Sequence, residues 1–128
     1  MILSIAPVTV LGLAACFGLS DAEKRFNSGL KLMDQGRYDE AIDEFDLALF
    51  GDGSMAAAYH NRALTEQRTG SLSSAIKDYT RSIELDPELA VAYQDRANDY
   101  LETRDRQSAL ADLEQSLELD DQSAVTQT

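Results

Sequence analysis

Apolar residues in this chain recur on helical spacings, and from residue 22 onward the pattern repeats itself every 34 residues. The clearest stretch is 56–89. Its first half, AAAYHNRALTEQRT, lacks proline and glycine and sets Tyr59, Ala63 and Leu64 on one stripe, as an amphipathic helix requires. Gly70 follows, where a helix ends most easily on a residue free to take positive φ. The second half, LSSAIKDYTRSIEL, sets Leu72, Ala75, Ile76, Tyr79 and Ile83 on another helical face. Ser71 or Ser73 is expected to cap this second helix, and Asp86 to cap the next one with Pro87 in its first turn. The unit is helix, turn, helix, turn.

Three such units fit the chain, at 22–55, 56–89 and 90–123, leaving 124–128 as an expected disordered tail. The second and third share 13 of 34 residues, among them Tyr59/Tyr93, Arg62/Arg96, Ala75/Ala109 and Asp78/Asp112. A constant step of this length marks a stacked repeat. Small residues recur where two helices must approach: Gly29, Ala63 and Ala97 in the first helix, Ala41, Ala75 and Ala109 in the second. Phe45, Tyr79 and Leu113, with Leu49, Ile83 and Leu117, fill the matching holes. Arg62 precedes Asp78, and Arg96 precedes Asp112, by the same 16 residues, which predicts two ion pairs within repeats. Each is worth about 0–1 kcal/mol if half exposed. The competing use of these arginines, to bind an anionic ligand, is ranked behind this one.

The pattern resembles the tetratricopeptide repeat. The resemblance rests on Gly29, Gly36, Tyr38, Ala41, Phe45 and Ala48; on Tyr59, Ala63, Gly70, Ala75, Tyr79 and Pro87; and on Tyr93, Ala97, Tyr100, Ala109 and Leu113. It spans about 100 of the 128 residues. It implies an all-α fold, a right-handed superhelical stack of helix-turn-helix repeats, that is, an α-solenoid. Two departures carry a cost. Glu66 stands where the family prefers an aromatic residue or leucine. Arg104 replaces the turn glycine, at about 1 kcal/mol if the position is left-handed.

Charge narrows the function. The formal charge is −12, and every acidic and basic residue lies from Asp21 onward. Phosphate binding relies on basic patches, so nucleic acid is disfavoured as a partner, and so is attraction to an anionic membrane. His60 and Cys16 are the only residues of their kinds. They supply neither a zinc cluster nor a nucleophile–base pair, so no metal, no cofactor and no enzymatic activity is expected.

Residues 1–20 carry no charge and form a mostly apolar run, MILSIAPVTVLGLAACFGL, that stops abruptly before Asp21. That is how a secretion signal meets a mature domain. Leu13-Ala14-Ala15-Cys16 resembles the lipobox of bacterial lipoproteins, which implies acylation of Cys16 and a firm anchor from two or three chains. The basic residue that usually precedes the apolar stretch is missing. Lipid anchoring in the bacterial envelope, facing the periplasm, is the preferred reading; a soluble periplasmic protein, an uncleaved anchor and a cytoplasmic protein with a misplaced start are the alternatives.

Stacked helix pairs curve, and the first helices of the repeats line the concave side. The family's groove positions fall here on Phe26, Asn27, Leu30 and Met33 in repeat one. Repeat two supplies His60, Asn61, Leu64, Gln67 and Arg68. Repeat three supplies Gln94, Asp95, Asn98 and Leu101. This mixture of apolar anchors and amides suits an extended peptide or partner helix. A subset of the family grips acidic carboxy-terminal tails with a Lys–Asn–Arg clamp; those places hold Phe26, Leu30, Asn61, Val91 and Asp95, so only Asn61 agrees and that ligand is disfavoured. After Leu119 the sequence DDQSAVTQT is too short and polar to cover the last repeat, leaving Leu110, Leu113 and Leu117 partly open and a homodimer through this end as an expectation. The sequence thus points to a non-catalytic, envelope-associated protein-interaction module. A cytoplasmic adaptor or an enzyme accessory subunit with a misassigned start is the alternative.

Overall fold

The computed structural model describes residues 18–126, with Thr126 by its backbone alone. The apolar run up to residue 17, with Cys16 and its expected acylation, and residues 127–128 lie outside the described residues. Six helices follow in order: α1 (Asp21–Asp34), α2 (Tyr38–Gly51), α3 (Ala56–Arg68), α4 (Leu72–Leu85), α5 (Ala90–Glu102) and α6 (Arg106–Thr126). No strand occurs among the described residues. Each 34-residue segment carries one helix pair, and the pairs α1–α2, α3–α4 and α5–α6 nest most closely. α2 then packs on α3 and α4 on α5, so the units stack. First helices also touch one another, α1 to α3 and α3 to α5, whereas second helices do not. The array therefore bends with α1, α3 and α5 on its inner side.

The turn inside each repeat is built the same way three times. Gly36, Gly70 and Arg104 adopt φ of 74°, 83° and 66°. The next residue donates its N–H back to the final turn of the helix: Arg37 to Leu32 at 2.9 Å, Ser71 to Glu66 at 2.9 Å and Asp105 to Tyr100 at 2.8 Å. These bonds satisfy carbonyls that a helix end leaves open. Arg104 holds the left-handed position without glycine's freedom, as its place in the repeat predicts.

Capping differs from expectation. Ser20 caps α1 in a reciprocal box, accepting from the Glu23 N–H at 3.2 Å while the Glu23 carboxylate accepts from the Ser20 N–H at 2.6 Å. Those bonds hold the Glu23 carboxyl below its usual range. Ser71 precedes α4 but makes no cap bond, and Ser73 lies inside the helix. Ser20 has an extended ψ of 164°, which aims its hydroxyl at the free N–H groups. The tight turn holds Ser71 at ψ 63°, away from them. Asp86 likewise does not cap α5: it accepts from the Glu88 N–H at 3.2 Å, closing a short turn that leaves Pro87 ahead of the helix. The expected tail is also partly helical, because nothing between Asp120 and Thr126 breaks a helix; α6 runs for 21 residues against 14 in α4.

The core runs through small-to-large contacts. Phe45 and Tyr79 are fully buried with Ala41, Ala48, Ala63, Ala75 and Ala97 around them along the stack. A Cβ on Gly29 would lie 2.5 Å from Phe45 Cε1, so glycine is what lets α1 seat on that ring. Ser82 and Ser116 donate to the carbonyls of Ala56 and Ala90, at 3.0 and 3.1 Å, tying each second helix to the start of its partner.

Both anticipated ion pairs form. Arg62 donates from Nε and Nη2 to Asp78 at 2.6 and 2.8 Å, and Arg96 to Asp112 at 2.7 and 2.6 Å. The third guanidinium arm reaches the preceding repeat: Arg62 Nη1 meets Asp46 at 2.7 Å, and Arg96 Nη1 meets the Thr80 hydroxyl at 3.0 Å. One arginine thus pins its own helix pair and the junction before it. Each pair is bidentate and mostly buried, which makes it stronger than a half-exposed surface bridge.

Candidate functional site

The inner face of α1, α3 and α5 is where the sequence places a groove, and its residues divide into two groups. The first group is spent on the scaffold. Phe26 packs its ring 5.9 Å from that of Phe45. Asn61 donates to the Ala57 carbonyl of its own helix at 2.8 Å. Leu64 leans on the Ala63–Ala75–Tyr79 cluster. His60 and Asp95, four-fifths or more buried, meet at 2.9 Å and join α3 to α5. Gln67 donates to Asp99 at 2.6 Å while accepting from the Tyr79 hydroxyl at 3.4 Å.

The second group faces solvent. Asn27, Arg68, Gln94, Asn98 and Leu101 are exposed, and Leu30 and Met33 are half-buried. Met33, Leu64 and Arg68 come together with Asp34 and Tyr38 around a recess of about 250 Å³ between α1 and α3. With Met33, Leu64 and Tyr38 beside the Arg68 cation and the Asp34 carboxylate, the recess can take one apolar side chain and hold a neighbouring polar group. Gln94, Asn98 and Leu101 lie further along, on α5.

Two buried carboxyls shape the electrostatics. Asp99 is fully buried, and its Oδ2 has no hydrogen-bond partner. Burial pushes its carboxyl up to about 6, against the Gln67 hydrogen bond that lowers it. Glu66, already marked by its place in the repeat, has a buried Oε2 without a partner. Burial, reinforced by the adjacent Asp78, pushes it up to about 8. Asp99 escaped the sequence reading because its counterpart in repeat two is Thr65; the one available signal was that both occupy the stripe of Arg62 and Arg96, three residues on. Among the described residues no group of three or more histidine, cysteine, aspartate and glutamate side chains is placed to hold a metal. No helix among them is long and apolar enough to cross a membrane.

Residues 56–89 match the tetratricopeptide-repeat family. That segment is one tetratricopeptide repeat, and the described residues as a whole form an all-α stack of helix pairs. Among solved structures it is similar to the first TPR of Spaghetti (RPAP3) bound to HSP90 peptide SRMEEVD, at 28% identity over 77% of this chain and 79% of that one, with a TM-score of 0.75. It is similar to MamA, at 25% identity over 81% of this chain and 61% of that one, with a TM-score of 0.80. The TPR2B domain of yeast Sti1 in complex with pHsp70 matches at 25% identity over 78% of this chain and 80% of that one, with a TM-score of 0.76. No curated protein matches the chain.

Proposed function

We propose that this chain is a non-catalytic protein-interaction module that binds an extended peptide or partner helix along its inner face. The observation that carries this reading is the recess bounded by Met33, Leu64, Tyr38 and Arg68, opening onto a face whose exposed side chains are amides, Arg68 and Leu101. It is supported by the similar repeats of RPAP3, whose structure holds an HSP90 peptide. An acidic tail of that type is not the ligand proposed. Asp95 occupies the place of the clamp's arginine and is already paired with His60. The ligand instead sets an apolar side chain in the recess and offers backbone carbonyls to Arg68 and the amides.

The finer reading places the module in a bacterial envelope, held by acyl chains on Cys16 and facing the periplasm, with a soluble periplasmic or cytoplasmic adaptor, or an enzyme accessory subunit, as the alternative. Mass spectrometry of the amino-terminal peptide tests it, since an unmodified peptide starting at Met1 removes the anchor. For the groove, affinity capture with the full chain is compared with Arg68→Glu plus Leu101→Glu, both at exposed positions. A partner retained by the wild type and lost by the variant, at unchanged helicity, is the expected result. Equal retention by both removes the groove as the binding surface.

A further inference from the structure

The stack contains two finished copies of one junction and half of a third. On α2, Ile42 and Leu49 flank Asp46; on α4, Ile76 and Ile83 flank Thr80; on α6, Leu110 and Leu117 flank Glu114. In the first two cases a following helix packs on that helix, α3 on α2 and α5 on α4, with Ile42, Leu49 and Ile76 half-buried and Ile83 buried. That helix also sends a guanidinium arm to the central polar residue, at 2.7 Å to Asp46 and 3.0 Å to Thr80. In the third, no described helix follows. Ile83 is 9% exposed, whereas Leu110 and Leu117 are 59% and 65% exposed. The covering helices also fix what the cover looks like. Arg62 shares its stripe with buried Ala58 and Thr65, and Arg96 shares its stripe with buried Ala92 and Asp99.

We infer that the outer face of α6 is a docking site for a basic amphipathic helix of a partner protein, which lies across Leu110 and Leu117 and presents an arginine, flanked by small residues, to Glu114. Charge selects this occupant. Beyond Asp112, which Arg96 occupies, α6 carries Glu114, Glu118, Asp120 and Asp121 against a single basic residue, Arg106. A second copy of this chain fits poorly in either orientation. Two α6 faces would set these acids against their like. The α1 face would set Lys24 and Lys31, which stand where repeat two has Ala58 and Thr65, against the two leucines.

The chain supplies its own probe. A synthetic peptide carrying residues 56–68, lengthened at both ends by alanine–lysine turns so that it is helical and basic, is titrated against the full chain by fluorescence anisotropy. Saturable binding of one peptide per chain is expected. Leu110→Glu with Leu117→Glu weakens it at least tenfold, at unchanged circular dichroism. Glu114→Arg weakens it similarly, and a peptide with glutamate in place of the arginine at 62 restores it. Absence of saturable binding overturns the inference. So does binding that ignores the α6 variants but is lost with Arg68→Glu, an outcome that moves the peptide to the inner groove and leaves the proposed function intact. Sedimentation showing a dimer that Leu117→Glu dissociates gives the face to a second copy and also overturns it.

Discussion

Glu66 is a carboxyl placed among residues that would suit leucine, and its titration has a definite sign. Its pKa rises from an ordinary 4.5 to about 8 in the fold. Between those values the native state holds a proton that the unfolded chain has released, so stability is greatest below the lower value and is lost as pH climbs through the upper one. Asp99, raised from 3.8 to about 6, works in the same direction over its own window. The melting temperature is expected to fall by about 3–8 °C between pH 5.5 and 8.5. Glu66→Leu should flatten most of that slope and raise the melting temperature at the alkaline end; thermal scans at both pH values check this, and a flat wild-type profile removes the explanation. Arg104→Gly is the second test at this scale. It relieves a φ of 66° and should stabilise the fold by about 1 kcal/mol, read from urea midpoints. Both sites were visible in the sequence as breaks in a repeat. Asp99 was not, because an aspartate on an inner helix looks like solvated surface until the neighbouring helix is in place.

Helix pairing was legible because its determinants are local. Gly29, Ala63 and Ala97 stand opposite Phe45, Tyr79 and Leu113 at fixed offsets, and Arg62 finds Asp78 by a constant separation. Gly29→Ala is expected to cost about 1–3 kcal/mol, since its Cβ meets the Phe45 ring at 2.5 Å and the ring is fully buried. Arg62→Ala should cost about 3 kcal/mol, because it leaves the Asp78 carboxylate without its counter-ion. The double variant with Asp78→Ala should recover part of that loss, which a double-mutant cycle in denaturant measures. The caps were less legible. A serine before a helix is a cap only if its ψ is extended, and Ser20 and Ser71 differ in that angle, not in kind. The groove was legible as a face but not as a set of free groups. His60, Asn61, Gln67 and Asp95 have polar partners inside the scaffold, and such partners depend on how neighbouring repeats sit.

In the whole molecule stability follows position in the stack. The middle repeat has a neighbour on either side, whereas among the described residues α6 is packed on its inner face alone. Amide exchange should therefore be slowest in α3 and α4 and fastest at the end of α6, where Val125 is 74% exposed. Hydrogen–deuterium exchange by mass spectrometry reads this directly, and uniform protection across the six helices would contradict a stack held by nearest neighbours. The net charge of −12 is spread over all three repeats, so the periodic sequence announces the architecture far more clearly than the partner, and the acids of α6 point to an occupant only once its uncovered face is seen.

The bridging arginine has a further consequence for chain length. Arg62 and Arg96 use the same three arms one unit apart, two on an aspartate of their own repeat and one on the helix before it, where the seam before repeat two supplies the Asp46 carboxylate and the seam before repeat three the Thr80 hydroxyl. Splicing a duplicate of 56–89 after Leu89 would set the duplicate's arginine on Thr80 and leave Arg96 facing the duplicate's own threonine, a pairing the molecule already uses. The ribbon would lengthen by one rung, and at the new seam His60 would meet the duplicate's Asn61, and Gln67 its Thr65, in place of Asp95 and Asp99.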